Sequence, residues 1–210
     1  MTLLKEIALG LGAGEGAVGA TIVGVLLAAG RGSRFDPSGR RNKLLQPLAD
    51  GRLVAAAAAR TLVAATGTAI AVVPPGGGEL VEVLRDVGCR TVVCADADQG
   101  MGVSLVCGLR AAAPADGFLI ALADMPYVRP ETLAALVGAV AAGAAIAVPV
   151  HGGRRGNPVA FGAAHLPRLL RLGGDEGARK LLKAHPVCEI EVPDPGIFRD
   201  VDHPGDLAAG

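Results

Sequence analysis

An α/β fold of three layers, with helices on both faces of a mostly parallel central sheet, follows from three observations. Short apolar runs rich in β-branched residues recur at 22–27, 69–73, 91–94, 118–122 and 144–150. Between them lie Ala/Leu-rich stretches of helical length, at 53–65, 79–87, 101–112, 130–142 and 163–171. About half of the 210 residues are apolar, enough for one substantial core. Strands that alternate with helices pair in parallel, because each crossover helix returns the chain to the same end of the sheet. No fixed-period repeat is present.

Each element has a local reason. The run 22–27, Ile-Val-Gly-Val-Leu-Leu, is too short and too β-branched for a helix, and it ends in Ala-Ala-Gly. The uncharged segment 132–150 approaches the length of a membrane span, but Gly143 divides it and Pro149 stands near its end. Helix followed by buried strand is the simpler reading. After residue 150 the pattern changes to a loop at 151–158, a short strand at 159–162, a helix at 175–184, a strand at 188–192 and a Pro/Asp-rich exit. Residues 21–207 are expected to form one domain, with 151–207 as one wall of a cleft. Residues 1–20 break into Gly-Ala-Gly-Glu-Gly and are expected to form a flexible or frayed leader.

Charge narrows the function. Lys plus Arg equal Asp plus Glu, so no overall positive field gathers nucleic acid or anionic lipid, and any anion site is local. One tyrosine and no tryptophan leave little to stack on unpaired bases. Cys89, Cys94, Cys107 and Cys188 form no CxxC pair and are read as reduced, buried thiols of a cytoplasmic protein. His151, His165, His185 and His203 are dispersed, without a Ser/Asp arrangement for nucleophilic catalysis, and are assigned surface or hinge positions.

Chemistry concentrates in the loops. The first strand runs into Leu27-Ala28-Ala29-Gly30-Arg31-Gly32-Ser33-Arg34, where small residues let backbone N–H groups approach phosphate oxygens. Lys43 supplies an ammonium that can neutralise charge on a transferring phosphate. A dinucleotide loop would need Gly at 35, where Phe35 stands, and a P-loop would need Gly-Lys-Ser/Thr. By itself, the loop also reads as an ordinary Gly-rich turn. Asp124 follows the strand 118–122, where a hard-cation ligand belongs, with a turn or N-cap role before Pro126 as the alternative. In Asp200-Val201-Asp202 the period of two puts both carboxylates on one side; Asp202 is favoured as the second ligand, with a solvated acidic tail as the alternative. Gly100, Met101 and Ser104 precede or open a helix and can meet a base, ribose or phosphate. Asp175 suits an N-cap, and Arg179 can reach an acceptor's phosphate or lie on a surface helix.

Taken in order, Leu27-Ala-Ala-Gly-x-Gly-x-Arg34, Lys43-Leu-Leu-x-Pro47, Gly100-Met101, Leu122-Ala-Asp124-x-Pro126, Arg155-Gly156-Asn157-Pro158, Gly174-Asp-x-Gly-Ala-Arg179 and Asp200-Val-Asp202-x-Pro204 resemble the molybdenum cofactor cytidylyltransferases. The resemblance covers about residues 21–207. It implies a Rossmann-like nucleotidyltransferase fold and the joining of CTP to the phosphate of molybdenum cofactor, with release of pyrophosphate. It further implies that Gly30, Gly32 and Arg34 hold the triphosphate, Lys43 the α-phosphate region, and Asp124 with Asp202 a Mg2+ ion. Arg155, Asn157, Asp175 and Arg179 then face the acceptor. A molybdoenzyme or its maturation chaperone would be a partner, with neither nucleic acid nor membrane involved. Leu-Ala-Ala-Gly is the form of the cytidine-using relatives, whereas guanylyl-transferring ones carry Leu-Ala-Gly-Gly, so Ala29 points to CTP. Two departures stand out: the basic stretch 35–41 is longer than the usual link, and Asn157 stands where His is usual. Another phosphorylated acceptor, GTP as donor, or a non-catalytic nucleotide- or cofactor-binding module remain as alternatives.

Overall fold

The computed structural model describes residues 19–30, 32–174 and 177–208. Residues 1–18 of the expected leader, Arg31 of the glycine-rich loop and Asp175 lie outside the described residues. Strands β1 (Ile22–Leu27), β2 (Ala69–Val73), β3 (Arg90–Val93), β4 (Gly117–Leu122), β5 (Ile146–His151), β6 (Arg154–Arg155), β7 (Val159–Gly162) and β8 (Cys188–Glu191) form one mixed sheet. Its order is β3-β2-β1-β4-β7-β5-β6, with β8 pairing with β5. The helices are α1 (Val54–Thr66), α2 (Gly78–Asp86), α3 (Met101–Ala112), α4 (Pro130–Ala141), α5 (Leu166–Leu169) and α6 (Arg179–Ala184).

The pleat sorts each strand between two half-cores. Ile22 and Leu26 of β1, Ala69, Ala71 and Val73 of β2, and Leu119 and Ala121 of β4 face α1, α2 and α4. Val23 and Val25, Ile70 and Val72, and Phe118 and Ile120 face the other way, toward α3, α5 and α6. Side chains that alternate across a strand buried on both faces produce the continuous apolar runs seen in the sequence. Gly108 brings α3 close to the sheet: a Cβ there would stand 2.6 Å from Val25 and 2.7 Å from Val72.

β1 pairs in parallel with both β2 and β4, with Leu27 opposite Leu122. The chain leaves β1 toward β2, crosses back after β3 to β4, and so opens a crevice where the strand order reverses. Ligands of open α/β sheets bind at such points, beyond the carboxyl ends of the strands. The loops carrying Gly30 and Asp124 therefore emerge side by side, and Ala123 N donates to Leu27 O at 3.0 Å.

The C-terminal third departs from the sequence expectation in particulars. The stretch 151–158, read as a loop, contains β6, which with β7 forms an interrupted antiparallel partner of β5. The interruption falls at 156–158, because Gly156 is pressed against Ile197 and Asn157 N turns away to donate to Ile197 O. The helix expected at 163–171 is a 3-10 turn followed by the short α5, and the helix expected at 175–184 is described from Arg179. Among the described residues no helix is long and apolar enough to cross a membrane, and the segment 132–150 divides at Gly143 into α4 and β5.

The four cysteines are free, but only Cys89 and Cys94 are buried; Cys107 is half-buried and Cys188 is exposed on β8. Burial pushes the thiols of Cys89 and Cys107 up to about 11, so both stay protonated and unreactive near neutral pH. The histidines are also less dispersed than their spacing suggests. His165 is 5% exposed, its Nδ1 has no hydrogen-bond partner among the described residues, and its ring lies 4.8 Å from that of His185. Burial first, then the neighbouring His185 and Arg168, lower the pKa of His165. The unfolded chain therefore takes up a proton before the folded one does. Stability from this site is complete above the unfolded value of about 6.5 and is lost as pH falls through it toward the lower folded value. Thermal unfolding midpoints are expected to drop between pH 7.5 and 5.5, and to drop less in His165→Leu. Parallel pH profiles for the two proteins would refute this assignment.

Candidate functional site

A cleft of about 470 Å³ lies over the carboxyl ends of β1 and β4. The glycine-rich loop forms one side through Leu27, Ala29, Gly30, Gly32, Ser33 and Arg34, and Gly100, Met101 and Ser104 form another. Gly32 has a φ of 61°, in the left-handed region, and its carbonyl accepts from the N–H groups of Phe35 and Asp36. Glycine suits that turn because a Cβ would be strained there. At Gly30 a Cβ would meet nothing within 4 Å, so the backbone is open to a ligand. Ala28 lies outside this lining, packed into the half-core beside α1, whereas Ala29 belongs both to the lining and to the opposite half-core.

Lys43 opens a 3-10 turn whose N-cap, Asn42, accepts from Leu44 N at 3.0 Å. Its Nζ lies 2.6 Å from Asp124 Oδ2 and 3.2 Å from Asp202 Oδ1. Arg34 pairs with the other oxygen of Asp202. Lys43 lines the cleft but is only 8% exposed: it is buried beneath two carboxylates that satisfy its charge. Asp124 and Asp202, separated by 78 positions in the chain, converge on one point.

The donor set at that point is two hard carboxylate oxygens beside an open, glycine-lined wall. It fits a magnesium or manganese ion, which takes one or two carboxylates and fills its other positions with water and phosphate oxygens. Among the described residues no group of three or more His, Cys, Asp or Glu gathers in the manner of a zinc cage. Asp200 is exposed, but loss of water around its carboxyl, then a hydrogen bond with Asp202 and the charges of Asp202 and Asp124, raise its pKa.

Arg155, Asn157 and Arg179, three of the expected acceptor residues, are not part of the lining of this cleft. Arg155 pairs with Glu189 of β8 at 2.6 Å on the exposed side of the sheet. Asn157 is half-buried and tied through its backbone to Ile197, and Arg179 begins α6. The segment leading to Arg179 does reach the cleft mouth, since Gly102 N donates to Gly174 O at 2.8 Å. The two motifs around Gly100 and Gly174 thus form one rim. Sequence reasoning did not single out Ser33, Leu44, Ala97 or Leu122, which also line the cleft. Their small or apolar character gave no chemical signal; only their places beside the motifs did. Asp98 lies in a short 3-10 turn and also lines the cleft.

The profile of the MobA-like NTP transferase domain matches residues 24–189. The chain belongs to that family. It is 32% identical over 190 residues to nicotine blue oxidoreductase of Paenarthrobacter nicotinovorans, covering 86% of this chain and 92% of that protein. It is 38% identical over 117 residues to purine catabolism protein PucB of Bacillus subtilis, a match spanning 53% of this chain and 56% of that relative's length. Among solved structures it resembles Rv0371c of Mycobacterium tuberculosis in complex with manganese, with TM-score 0.70, 30% identity, and coverage of 89% of this chain and 96% of that one. The chain is thus an α/β protein of a nucleotidyltransferase family, and a divalent metal occurs with a structural relative.

Proposed function

We propose that this protein joins CTP to the terminal phosphate of molybdenum cofactor, releasing pyrophosphate and forming a cytosine dinucleotide. The observation that carries the reading is the convergence of Lys43, Asp124 and Asp202 opposite the glycine-rich loop. An acceptor phosphate oxygen attacks the α-phosphorus of CTP, the α–β bridging bond breaks, and pyrophosphate departs with its electron pair. Backbone N–H groups at Gly30 and Gly32, with the Arg34 guanidinium, hold the triphosphate. Lys43 compensates charge at the α-phosphate as the bond changes hands. The acceptor is already an anion, so alignment and neutralisation outweigh any general base.

Asp124 and Asp202 would hold Mg2+. Bound there, the ion would neutralise the phosphate oxygens and align them for in-line displacement. Arg155, Asn157, Asp175 and Arg179 remain the proposed acceptor side, on the 151–207 wall.

Ala29 sets donor choice in this reading. Ala29 lines the cleft, and its methyl would fill space that a purine would need. Ala29→Gly is expected to raise GTP turnover relative to CTP turnover by about tenfold, on the scale of one methyl's discrimination. An unchanged ratio removes Ala29 from base selection.

The relative named nicotine blue oxidoreductase favours a second reading, oxidoreductase chemistry in the same cleft. Phe35 stands where a dinucleotide loop needs its third glycine, which weighs against it. The deciding experiment incubates the purified protein with Mg2+, molybdenum cofactor and CTP, GTP or ATP in turn, and measures pyrophosphate. Parallel samples follow oxidation of NADH and NADPH with a quinoid dye. Pyrophosphate with CTP supports the proposal; nicotinamide oxidation alone replaces it with the second reading.

A further inference from the structure

The segment 194–207, which carries Asp202, is clasped to the segment 124–132, which carries Asp124, at several points. At one end Asp194 is 1% exposed and its pairing is entirely with neutral donors among the described residues. Its Oδ2 accepts from Arg129 N at 2.9 Å and from Thr132 Oγ1 at 2.6 Å, while Oδ1 accepts from Gly196 N at 2.9 Å. Arg129 is the N-cap position of α4 and makes no side-chain cap bond. Asp194 thus supplies, from a distant segment, the carboxylate that favours the positive end of that helix. Toward the other end, Val201 N donates to Asp124 O at 2.8 Å. Beyond it, the Asp206 carboxylate accepts from Asp202 N at 2.9 Å and His203 N at 2.7 Å, and Tyr127 Oη donates to Asp206 O at 2.8 Å.

A buried carboxylate held by neutral donors alone is expensive unless every bond is made. It anchors the strap more firmly than an apolar contact would, because only one geometry satisfies all three donors. Resting on the reading of Asp124 and Asp202 as the divalent-cation site, we propose that Asp194 is a positioning residue that sets the separation of those two carboxylates and so the affinity for the metal. It touches neither metal nor substrate; it acts through Arg129 and Gly196 on the two segments that bear the ligands.

The test uses the full chain and Mn2+ alone, titrated by electron paramagnetic resonance without nucleotide, with circular dichroism to confirm folding. Asp194→Asn offers one oxygen to donors that now reach two, and Thr132→Val removes the hydroxyl donor while leaving both backbone bonds. Asp194→Asn is expected to weaken Mn2+ binding by about ten- to hundredfold, the range seen when groups supporting metal ligands are lost. Thr132→Val should weaken it less. In pyrophosphate assays the metal concentration for half-maximal rate should rise in step, with kcat recovered at saturating metal. Wild-type Mn2+ affinity in folded Asp194→Asn overturns the proposal, as does unfolding of both variants, which would make the carboxylate a determinant of the fold alone. If the wild-type protein binds Mn2+ but releases no pyrophosphate with any nucleotide, the proposed reaction fails while the positioning role stands on the binding data.

Discussion

Lys43→Ala is expected to cut pyrophosphate release by about 100- to 1000-fold, the loss typical of removing one preorganised charge from a transition state. The same variant should be measurably less stable, and that second effect separates Lys43 from an ordinary surface lysine. Its ammonium is the shared partner of Asp124 at 2.6 Å and Asp202 at 3.2 Å. Without it, two partly buried carboxylates face each other with, among the described residues, the Arg34 pair to Asp202 as the remaining ion pair. Removing one partner of a fully buried ion pair costs about 3–5 kcal/mol. Solvent reaches Asp124, so a loss of about 1–3 kcal/mol is the reasonable scale here. A divalent cation should restore part of that loss, because it binds the folded state and neutralises the same oxygens. The unfolding midpoint of Lys43→Ala should therefore rise more on addition of millimolar Mg2+ than that of the wild type. Asp124→Ala should lose turnover to a similar extent and respond little to Mg2+, since one ligand is gone. Undiminished turnover in either variant would remove that residue from the proposed chemistry.

Gly196→Ala should disable the site from a distance. A Cβ at this position would stand 2.6 Å from the carbonyl carbon of Tyr127, nearer still to its oxygen, and 2.8 Å from Asp194 Oδ1. Its obstacle is backbone, which cannot swing aside as a flexible side chain would. The strap and the 124–132 segment must separate locally, at about 1–3 kcal/mol for overpacking of this kind. Because that separation falls between the Asp194 clasp and the Asp124–Val201 bond, turnover should fall further than the lost stability explains. Urea unfolding and pyrophosphate release measured on one preparation decide this. A variant that loses stability but retains kcat would show the close approach to be a packing detail unconnected with the carboxylate pair.

The parallel half of the sheet was legible from residues 22–122 because β1, β2 and β4 are buried on both faces, and continuous apolar runs separated by helical stretches have few other solutions. The C-terminal third was harder to read. Arg154 and Arg155 carry no strand signal, and they pair with β5 only because the hairpin brings them alongside. Likewise His165 and His185 have α5 and α6 between them in the chain, yet the fold brings their rings together edge to face. Cys188 resembles the other cysteines in its neighbourhood of apolar residues, but β8 pairs with β5 alone among the described strands and leaves it exposed.

At the candidate site the division is similar. The amino-acid sequence alone determined that a small-residue loop follows the first strand, that a carboxylate follows the strand at 118–122, and that a pair of carboxylates comes late in the chain. Those are local statements, set by residue type and spacing. Only the tertiary structure decided that Asp202 reaches Asp124, that Lys43 is buried between them, and that Asp194 fastens the segments on which they stand. The reason is physical: strand order, together with hydrogen bonds between segments more than sixty residues apart, sets those distances, and no local pattern records a partner so remote.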